Sequence, residues 1–381
     1  MGLGGESSGS FPTGESAQEK GLSYVPNAYV IPAPHRSSSS RETAIIPIID
    51  MASLRSTDSA QRSLAIEELR EACIRLGFFQ VSFNASILHS DPEKICITSL
   101  TSVCFVQIIN HRINERVMEE ALEQAYEFFD LPLKEKMKYK SDDVSRAVRY
   151  GTSLKDGVDK IKFWRVFLKH YAHPLEDWIH SWPTSPRSYR EKMGTYTREV
   201  RKVGLEVMEA ITESLGLCPT YLSSKMAEGV QVVAVNCYPP CPQPEVALGL
   251  PPHTDYSCIT TILQSSEGLE IMDMADGTWK LVPNIDGALQ VHLGDHVEVL
   301  SNGLYKGVVH RATVNSESTR ISITSLHSLG MDEKMKPAEE LVDQQNPKKY
   351  KESSFNDFLK FLSSNDLGEG KSFINTLKIQ E

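Results

Sequence analysis

The sequence predicts an α+β protein whose core is mainly β, an antiparallel sandwich or barrel of jelly-roll type flanked by helices on both sides. Three observations carry this prediction. From Gln231 about eight short β-branched runs follow one another, separated by turn residues and with no helix-length insert between them. The chain before them reads largely at helical period, and after Lys336 it returns to charged helical texture.

Taken in order, residues 1–43 are rich in Gly, Ser and Pro and poor in large apolar residues, which predicts a disordered leader. Order is expected to begin at a strand over 45–49. A helix should start near Ser59, with Leu64, Ile66, Leu69, Ala72, Cys73 and Leu76 at helical spacing and Gly77 ending it. Further helices are expected over 114–128, around 135–139 and over 188–215. The strands are expected at 232–238, 258–263, 269–274, 278–282, 288–293, 296–300, 307–314 and 320–327. Near the C-terminus Phe355, Phe358 and Phe361 form a stripe expected to pack in the core.

Composition narrows the function. The 381 residues are 40% hydrophobic, 24% charged and 8% aromatic, ordinary for a soluble chain with a sizeable core. Lys+Arg 40 against Asp+Glu 50 gives a net charge of −10, and without a local basic patch this argues against a nucleic-acid partner. The seven cysteines are odd in number and form no CxxC pair, which points to a reduced, cytoplasmic protein. The most apolar stretch, 95–109, is short and broken by Ser and Thr, so no membrane span is expected. Glu6 spoils a myristoylation pattern, no secretory apolar region follows the start, and Glu6, Glu15 and Glu19 argue against a plastid transit peptide. A monomer is expected.

Within the β-rich region, His253-Thr254-Asp255 places an imidazole and a carboxylate two residues apart, so that both project from one face of extended chain. His310, in another predicted strand, is the preferred third ligand, with His292 and His296 as rivals near the Gly294-Asp295 turn. Two histidines and one carboxylate leave three positions open, an arrangement suited to non-haem Fe(II) that must also bind a co-substrate and O₂. HxD alone is a cheap pattern, since His89-Ser90-Asp91 repeats it, and Arg36-Ser37-Ser38 likewise repeats RxS. The order of the pieces on strand-like segments carries the weight. Arg320 and Ser322 share one strand face and offer a planar donor fork and a hydroxyl, a pair suited to a carboxylate.

These residues resemble the plant 2-oxoglutarate/Fe(II)-dependent dioxygenases, of the flavanone 3-dioxygenase, flavonol synthase and anthocyanidin synthase kind, with a fold related to isopenicillin N synthase. The likeness covers roughly 44–370. It rests on Asn236-Cys237-Tyr238-Pro239-Pro240-Cys241-Pro242, His253-Thr254-Asp255, Gly294-Asp295, Glu298-Val299-Leu300-Ser301-Asn302-Gly303, Val309-His310-Arg311 and Arg320-Ile321-Ser322. The resemblance implies a double-stranded β-helix over 226–332, a helical and strand support region over 44–225, and a C-terminal helical segment over 333–381. It implies Fe(II) on His253, Asp255 and His310. It also implies 2-oxoglutarate held by Arg320 and Ser322 with Tyr238 and Asn236 assisting, and ascorbate as reductant. The reaction implied is conversion of 2-oxoglutarate and O₂ to succinate and CO₂, coupled to hydroxylation or desaturation of a small organic substrate.

In relatives the substrate pocket is lined from the region of Tyr150, from the stretch after it and from just beyond the RxS strand. Here those places hold Tyr150, Phe163, Trp164, Phe167, Leu326 and Ser328, whose aromatic weight favours a flat, largely apolar small molecule, and the resemblance implies an aromatic or flavonoid-like one. Leu326 and Ser328 depart from the Phe and acidic residue that flavonoid-oxidising relatives often carry. The family also runs straight from GFFQ into an aliphatic pair and Asn-His. Deleting 81–107 here restores GFFQIINHRI. The segment opens on Val81-Ser82, codable as GTGAGT, and closes on a Gln codable as CAG, so it reads as a retained in-frame intron, with an extra loop as the alternative. Two other functions stay open: an ascorbate-dependent oxidase of the same fold, like aminocyclopropane-carboxylate oxidase, and an inactive product of the insertion.

Overall fold

A computed structural model provides the architecture and describes residues 21–33, 36, 42–46, 48–75, 78–82, 107–152, 161–274, 276–365 and 371–380. The strands in chain order are β1 (Glu42–Thr43), β2 (Phe78–Ser82), β3 (Gln107–Ile109), β4 (Val148–Gly151), β5 (Val166–His173), β6 (Gln231–Tyr238) and β7 (Leu250–His253). They continue as β8 (Ile259–Gln264), β9 (Leu269–Met272), β10 (Trp279–Leu281), β11 (Leu289–Leu293), β12 (His310–Ala312) and β13 (Arg320–His327). The helices are α1 (Met51–Leu54), α2 (Ser59–Arg75), α3 (Glu115–Asp130), α4 (Leu133–Lys136) and α5 (Leu175–Trp178). After them come α6 (Tyr189–Ser214), α7 (Ser223–Ala227), α8 (Asp295–Leu300), α9 (Phe355–Ser364) and α10 (Phe373–Leu377).

The strands form two sheets. One has five strands in the order β1-β10-β9-β12-β7, and the other eight in the order β3-β2-β11-β8-β13-β6-β5-β4. All ladders are antiparallel except β1 with β10 and β2 with β3. This is the jelly roll the β-rich half predicts, widened by strands from the first half.

Period-two alternation sets which side chains reach the interior cavity. On β6 and β13, Val233, Val235, Cys237, Ile321 and Ile323 join the main core with Tyr196, Val200 and Val203 of α6. Their neighbours Ala234, Asn236, Tyr238, Arg320, Ser322, Thr324 and Leu326 turn the other way and line the cavity. α6 is long and amphipathic enough to back the sheet and hold this parity in register.

Several expectations are corrected. Among the described residues before β6 helix outweighs strand, as expected, but β4 and β5 extend the large sheet, with β5 paired to β6 from Val166↔Cys237 to His173↔Gln231. The expected strand at 296–300 is the helix α8. All its residues are buried, Asp295, His296 and Glu298 included, and the alternation of Val297 and Val299 with His296 and Glu298 has the period of a strand. Among the described residues of 45–49 no strand is formed; β1 lies just before them. The α2 stripe is Ala65, Leu69, Ala72 and Cys73, whereas Leu64 is 67% exposed. Among the described residues after Lys336, helix forms only at α9 and α10 and in a short 3-10 turn.

Residues 21–33 do not follow the disordered reading, since Val25, Tyr29 and Ile31 supply the large apolar groups that ordering requires. Tyr29 packs edge-on against Trp164 at 5.5 Å, and the Ile31 N–H donates to the Val246 carbonyl at 3.0 Å. Residues 1–20 lie outside the described set, as do most of 81–107, Cys96, Cys104 and the His89 motif.

The ends of the suspected insertion are described. β2 pairs with β11, and β3 lies alongside β2 in parallel, with Gln80↔Gln107, Val81↔Ile108 and Ser82↔Ile109. The two segments therefore occupy neighbouring positions rather than compete for one.

Candidate active site

The site is built by sheet register. His253 ends β7 and His310 begins β12, and the two are direct partners in the antiparallel ladder. Directly opposed side chains lie close on one face, and here the imidazole centroids are 4.2 Å apart. Asp255 follows β7 on the loop to β8. That loop is pinned by the first turn of α8, where the Asp295 N–H donates to the Asp255 carbonyl (2.9 Å) and the His296 N–H to the Ser257 carbonyl (3.0 Å). Helix α8 thus satisfies its own terminal donors by fixing the backbone that carries Asp255. Gly294 is required at this junction, because a Cβ there would lie 2.2 Å from the Ser257 carbonyl oxygen.

Asp255 Oδ1 is 3.7 Å from His253 Nε2 and 3.8 Å from His310 Nε2. One ligand atom from each of the three residues lies within 4.8 Å of the others, and no other such cluster occurs among the described residues. Each histidine directs Nδ1 to a backbone carbonyl, His253 to Pro251 at 2.7 Å and His310 to Val308 at 3.1 Å. Donation from Nδ1 leaves both Nε2 lone pairs facing Asp255, the orientation a metal-ligating histidine needs. Burial, then the neighbouring His310, holds His253 down to about 4 against the pull of Asp255, so the imidazole stays neutral at physiological pH. Asp255 Oδ2 is buried and has no hydrogen-bond partner. Such an orphaned carboxylate oxygen fits a cation.

The rivals are placed elsewhere in role. His292 on β11 packs edge-on beside His310 at 4.6 Å, behind the triad. His296 on α8 approaches the Ser328 hydroxyl through Nδ1 at 3.1 Å.

Arg320 and Ser322 stand on the same face of β13, opposite Tyr238 and Asn236 of β6. Arg320 is 2% exposed. Its Nε donates to the Ser266 carbonyl (3.0 Å) and Nη2 to Gln264 Oε1 (2.8 Å), while Nη1 is buried without a partner. Its guanidinium lies 4.9 Å from the Tyr238 ring centroid. A buried cationic fork with an unfilled donor beside a hydroxyl fits a carboxylate.

Both groups open on one cavity of about 270 Å³ between the sheets. Phe167 and Leu326 line it, as expected. Tyr150, Phe163 and Ser328 do not. Tyr150 lies on the opposite face of β4 from Arg149 and joins the main core. Phe163 packs with Ile31 and Leu248, and Ser328 is buried beyond the end of β13. Phe355 belongs to the main core and Phe358 and Phe361 pack against it, as expected, and all three also form cavity wall, with Phe358 stacked on Tyr256 at 4.7 Å. Sequence reading missed Arg149, Arg165 and Lys169, which also line the cavity. Their signal was the alternation Arg165, Phe167, Lys169 against Val166, Leu168, His170.

The 2OG-Fe(II) oxygenase superfamily matches residues 229–328, and the family described as non-haem dioxygenase in morphine synthesis N-terminal matches 97–185. Flavanone 3-dioxygenase 3 of Oryza sativa subsp. japonica is 43% identical over 334 residues, 88% of this chain and 93% of that protein. The rice 2-oxoglutarate-dependent dioxygenase 21, chloroplastic, is 45% identical over 337 residues, 88% of this chain and 92% of that one. The crystal structure of JOX2 in complex with 2OG, Fe and JA is 28% identical with a TM-score of 0.77, covering 94% of this chain and 95% of that one. The chain therefore belongs to the 2OG-Fe(II) oxygenase superfamily, as a dioxygenase that uses Fe(II), 2-oxoglutarate and O₂ to oxidise a small molecule.

Proposed function

We propose that His253, Asp255 and His310 hold the Fe(II). Arg320 and Ser322, with Tyr238 and Asn236 assisting, hold the distal carboxylate of 2-oxoglutarate. The observation that carries this is the convergence of three ligand atoms within 4.8 Å, with both imidazoles oriented through Nδ1. When bound, the iron supplies open coordination positions for the keto acid and O₂ and the oxidising power for hydroxylation or desaturation. The chain's own residues bind and orient the two organic molecules, and the phenylalanines of α9 and α10 keep water from the cavity. Ascorbate serves as reductant.

The substrate is a small, flat plant metabolite, aromatic or flavonoid-like. Phe167, Leu326 and the C-terminal phenylalanines support this, as does the likeness to a flavanone dioxygenase. The support region spans 44–225, the catalytic jelly roll 226–332 and the C-terminal segment 333–381. The protein acts as a cytoplasmic monomer without nucleic-acid or membrane partners. Cys73, Cys218, Cys241 and Cys258 carry free thiols, which accords with a reducing compartment, and no described helix is long and apolar enough to cross a membrane.

Succinate release by the purified chain with Fe(II), 2-oxoglutarate and ascorbate tests the reading. Wild type should form succinate and Asp255→Ala should not, and product mass should show gain of an oxygen or loss of two hydrogens. Equal succinate from Asp255→Ala, or oxidation that needs ascorbate but no 2-oxoglutarate, would overturn it.

A further inference from the structure

Strand register places Phe167 of β5, Asn236 of β6 and Ser322 of β13 in one row across the large sheet. Arg165 stands just before β5, and its guanidinium carbon lies 4.8 Å from the Phe167 ring centroid, a contact that holds the planar group in place. From there Nη1 donates to Asn236 Oδ1 at 2.8 Å. Arg165, Asn236 and Ser322 are all buried, and all three line the cavity.

The contact sets a direction. A guanidinium has five N–H donors and no acceptor, so the Asn236 amide meets it only through its oxygen. The amide nitrogen is thereby turned the other way, 3.3 Å from the Ala234 carbonyl and 3.5 Å from Ser322 Oγ. With an N–H aimed at its oxygen, Ser322 keeps its own proton for the cavity, on the strand face it shares with Arg320. A reversed amide would do the opposite: its oxygen would take the Ser322 proton and leave a hydroxyl lone pair facing an incoming carboxylate. Two amide orientations of nearly equal shape therefore give opposite polarities at the anchor. Arg165 selects between them through a short, charge-assisted bond, and the Ala234 carbonyl favours the same one at longer range.

Resting on the oxygenase reading of this site, we propose that Arg165 is a positioning residue for the co-substrate. Acting through Asn236, it holds the Ser322 hydroxyl as a donor to the distal carboxylate of 2-oxoglutarate.

Anaerobic calorimetry on the Fe(II)-loaded protein tests this by comparing 2-oxoglutarate with 2-oxopentanoate, which keeps the keto acid and the chain length but ends in a methyl group. The wild type should prefer 2-oxoglutarate by about a hundredfold or more. Arg165→Met, which donates nothing, and Arg165→Gln, whose amide accepts as well as donates, should each shrink that preference about fivefold, the size of one hydrogen bond. Both should leave 2-oxopentanoate binding within about twofold of wild type, which a general loosening of the site would not. Asn236→Ala should shrink the preference by a similar factor, and adding Arg165→Met to it should change nothing further, because both residues act through one hydroxyl. An unchanged preference in Arg165→Met and Arg165→Gln would overturn the proposal, as would equal weakening of both keto acids. So would a further fivefold loss on adding Arg165→Met to Asn236→Ala, which would mean that Arg165 attracts the carboxylate directly. Failure of the wild type to bind either keto acid would instead sink the oxygenase reading, and this proposal with it.

Discussion

Arg320→Met removes the proposed anchor of 2-oxoglutarate while keeping an apolar stem of similar length. In the unliganded protein the guanidinium has neutral acceptors at Gln264 and Ser266, a ring contact to Tyr238 and one buried, unpartnered nitrogen. A carboxylate arriving there gains charge-assisted hydrogen bonds worth about 1.5–3 kcal/mol each. Losing a net of about 3–4 kcal/mol, at tenfold per 1.4 kcal/mol, weakens 2-oxoglutarate binding by roughly two to three orders of magnitude. Stability of the unliganded protein should change by no more than about 2 kcal/mol, because the orphaned acceptors offset relief of a buried cation. Anaerobic calorimetry of 2-oxoglutarate on the Fe(II)-loaded protein measures the first quantity and denaturant unfolding the second. A dissociation constant within about threefold of wild type, or affinity lost only because the variant unfolds, would refute the reasoning.

Three further outcomes are expected. Gly268→Ala puts a Cβ 2.8 Å from Arg320 Cδ at a residue with φ +142°, so it should weaken 2-oxoglutarate binding and lower stability by about 1–3 kcal/mol; unchanged calorimetry and unfolding would contradict this. His170, His296 and His327 are each held at about 3, in every case chiefly by burial. A folded pKa below the ordinary 6.5 stabilises the neutral form, so this stability is present above about pH 6.5 and is lost as pH falls towards 3, at about 1.4 kcal/mol per pH unit per histidine. Urea unfolding of the metal-free protein should show that decline below pH 6, shallower in His296→Gln, and a flat profile would refute it. Deleting 81–107 joins Gln80 to Ile108, whose β3 register already matches Val81 of β2, so the aliphatic pair can take the Val81–Ser82 position on β11 without a register change. The shortened chain should keep or gain thermal stability and succinate release, and loss of both would show that the segment belongs to the fold.

Legibility in the sequence followed the physics of each element. His253, Asp255, His310, Arg320 and Ser322 were readable because period-two spacing names the face of a strand and each piece carries a distinctive chemistry. β13 was readable for the same reason. Helix α8 was not, since Val297 and Val299 alternate with His296 and Glu298 as the residues of a strand would. Strand β7 was hidden by Pro251 and Pro252, which ordinarily argue against a strand. Tyr150, Phe163 and Ser328 were assigned to the pocket by nearness in sequence to lining positions, but strand parity and the packing of 21–33 turn them elsewhere. The cations on β4 and β5 escaped notice because Lys and Arg in a helical-looking half read as solvent face, and only pairing with β6 turns them inward.

The central claim is that side chains from two facing strands and the loop after one of them form a single metal site. Anaerobic titration of Fe(II), followed by calorimetry, tests it most directly. One Fe(II) should bind per chain of the wild type, and Asp255→Ala and His310→Gln should each abolish tight binding while remaining folded. Retention of full affinity in either variant, or its loss in His292→Gln instead, would contradict the assignment.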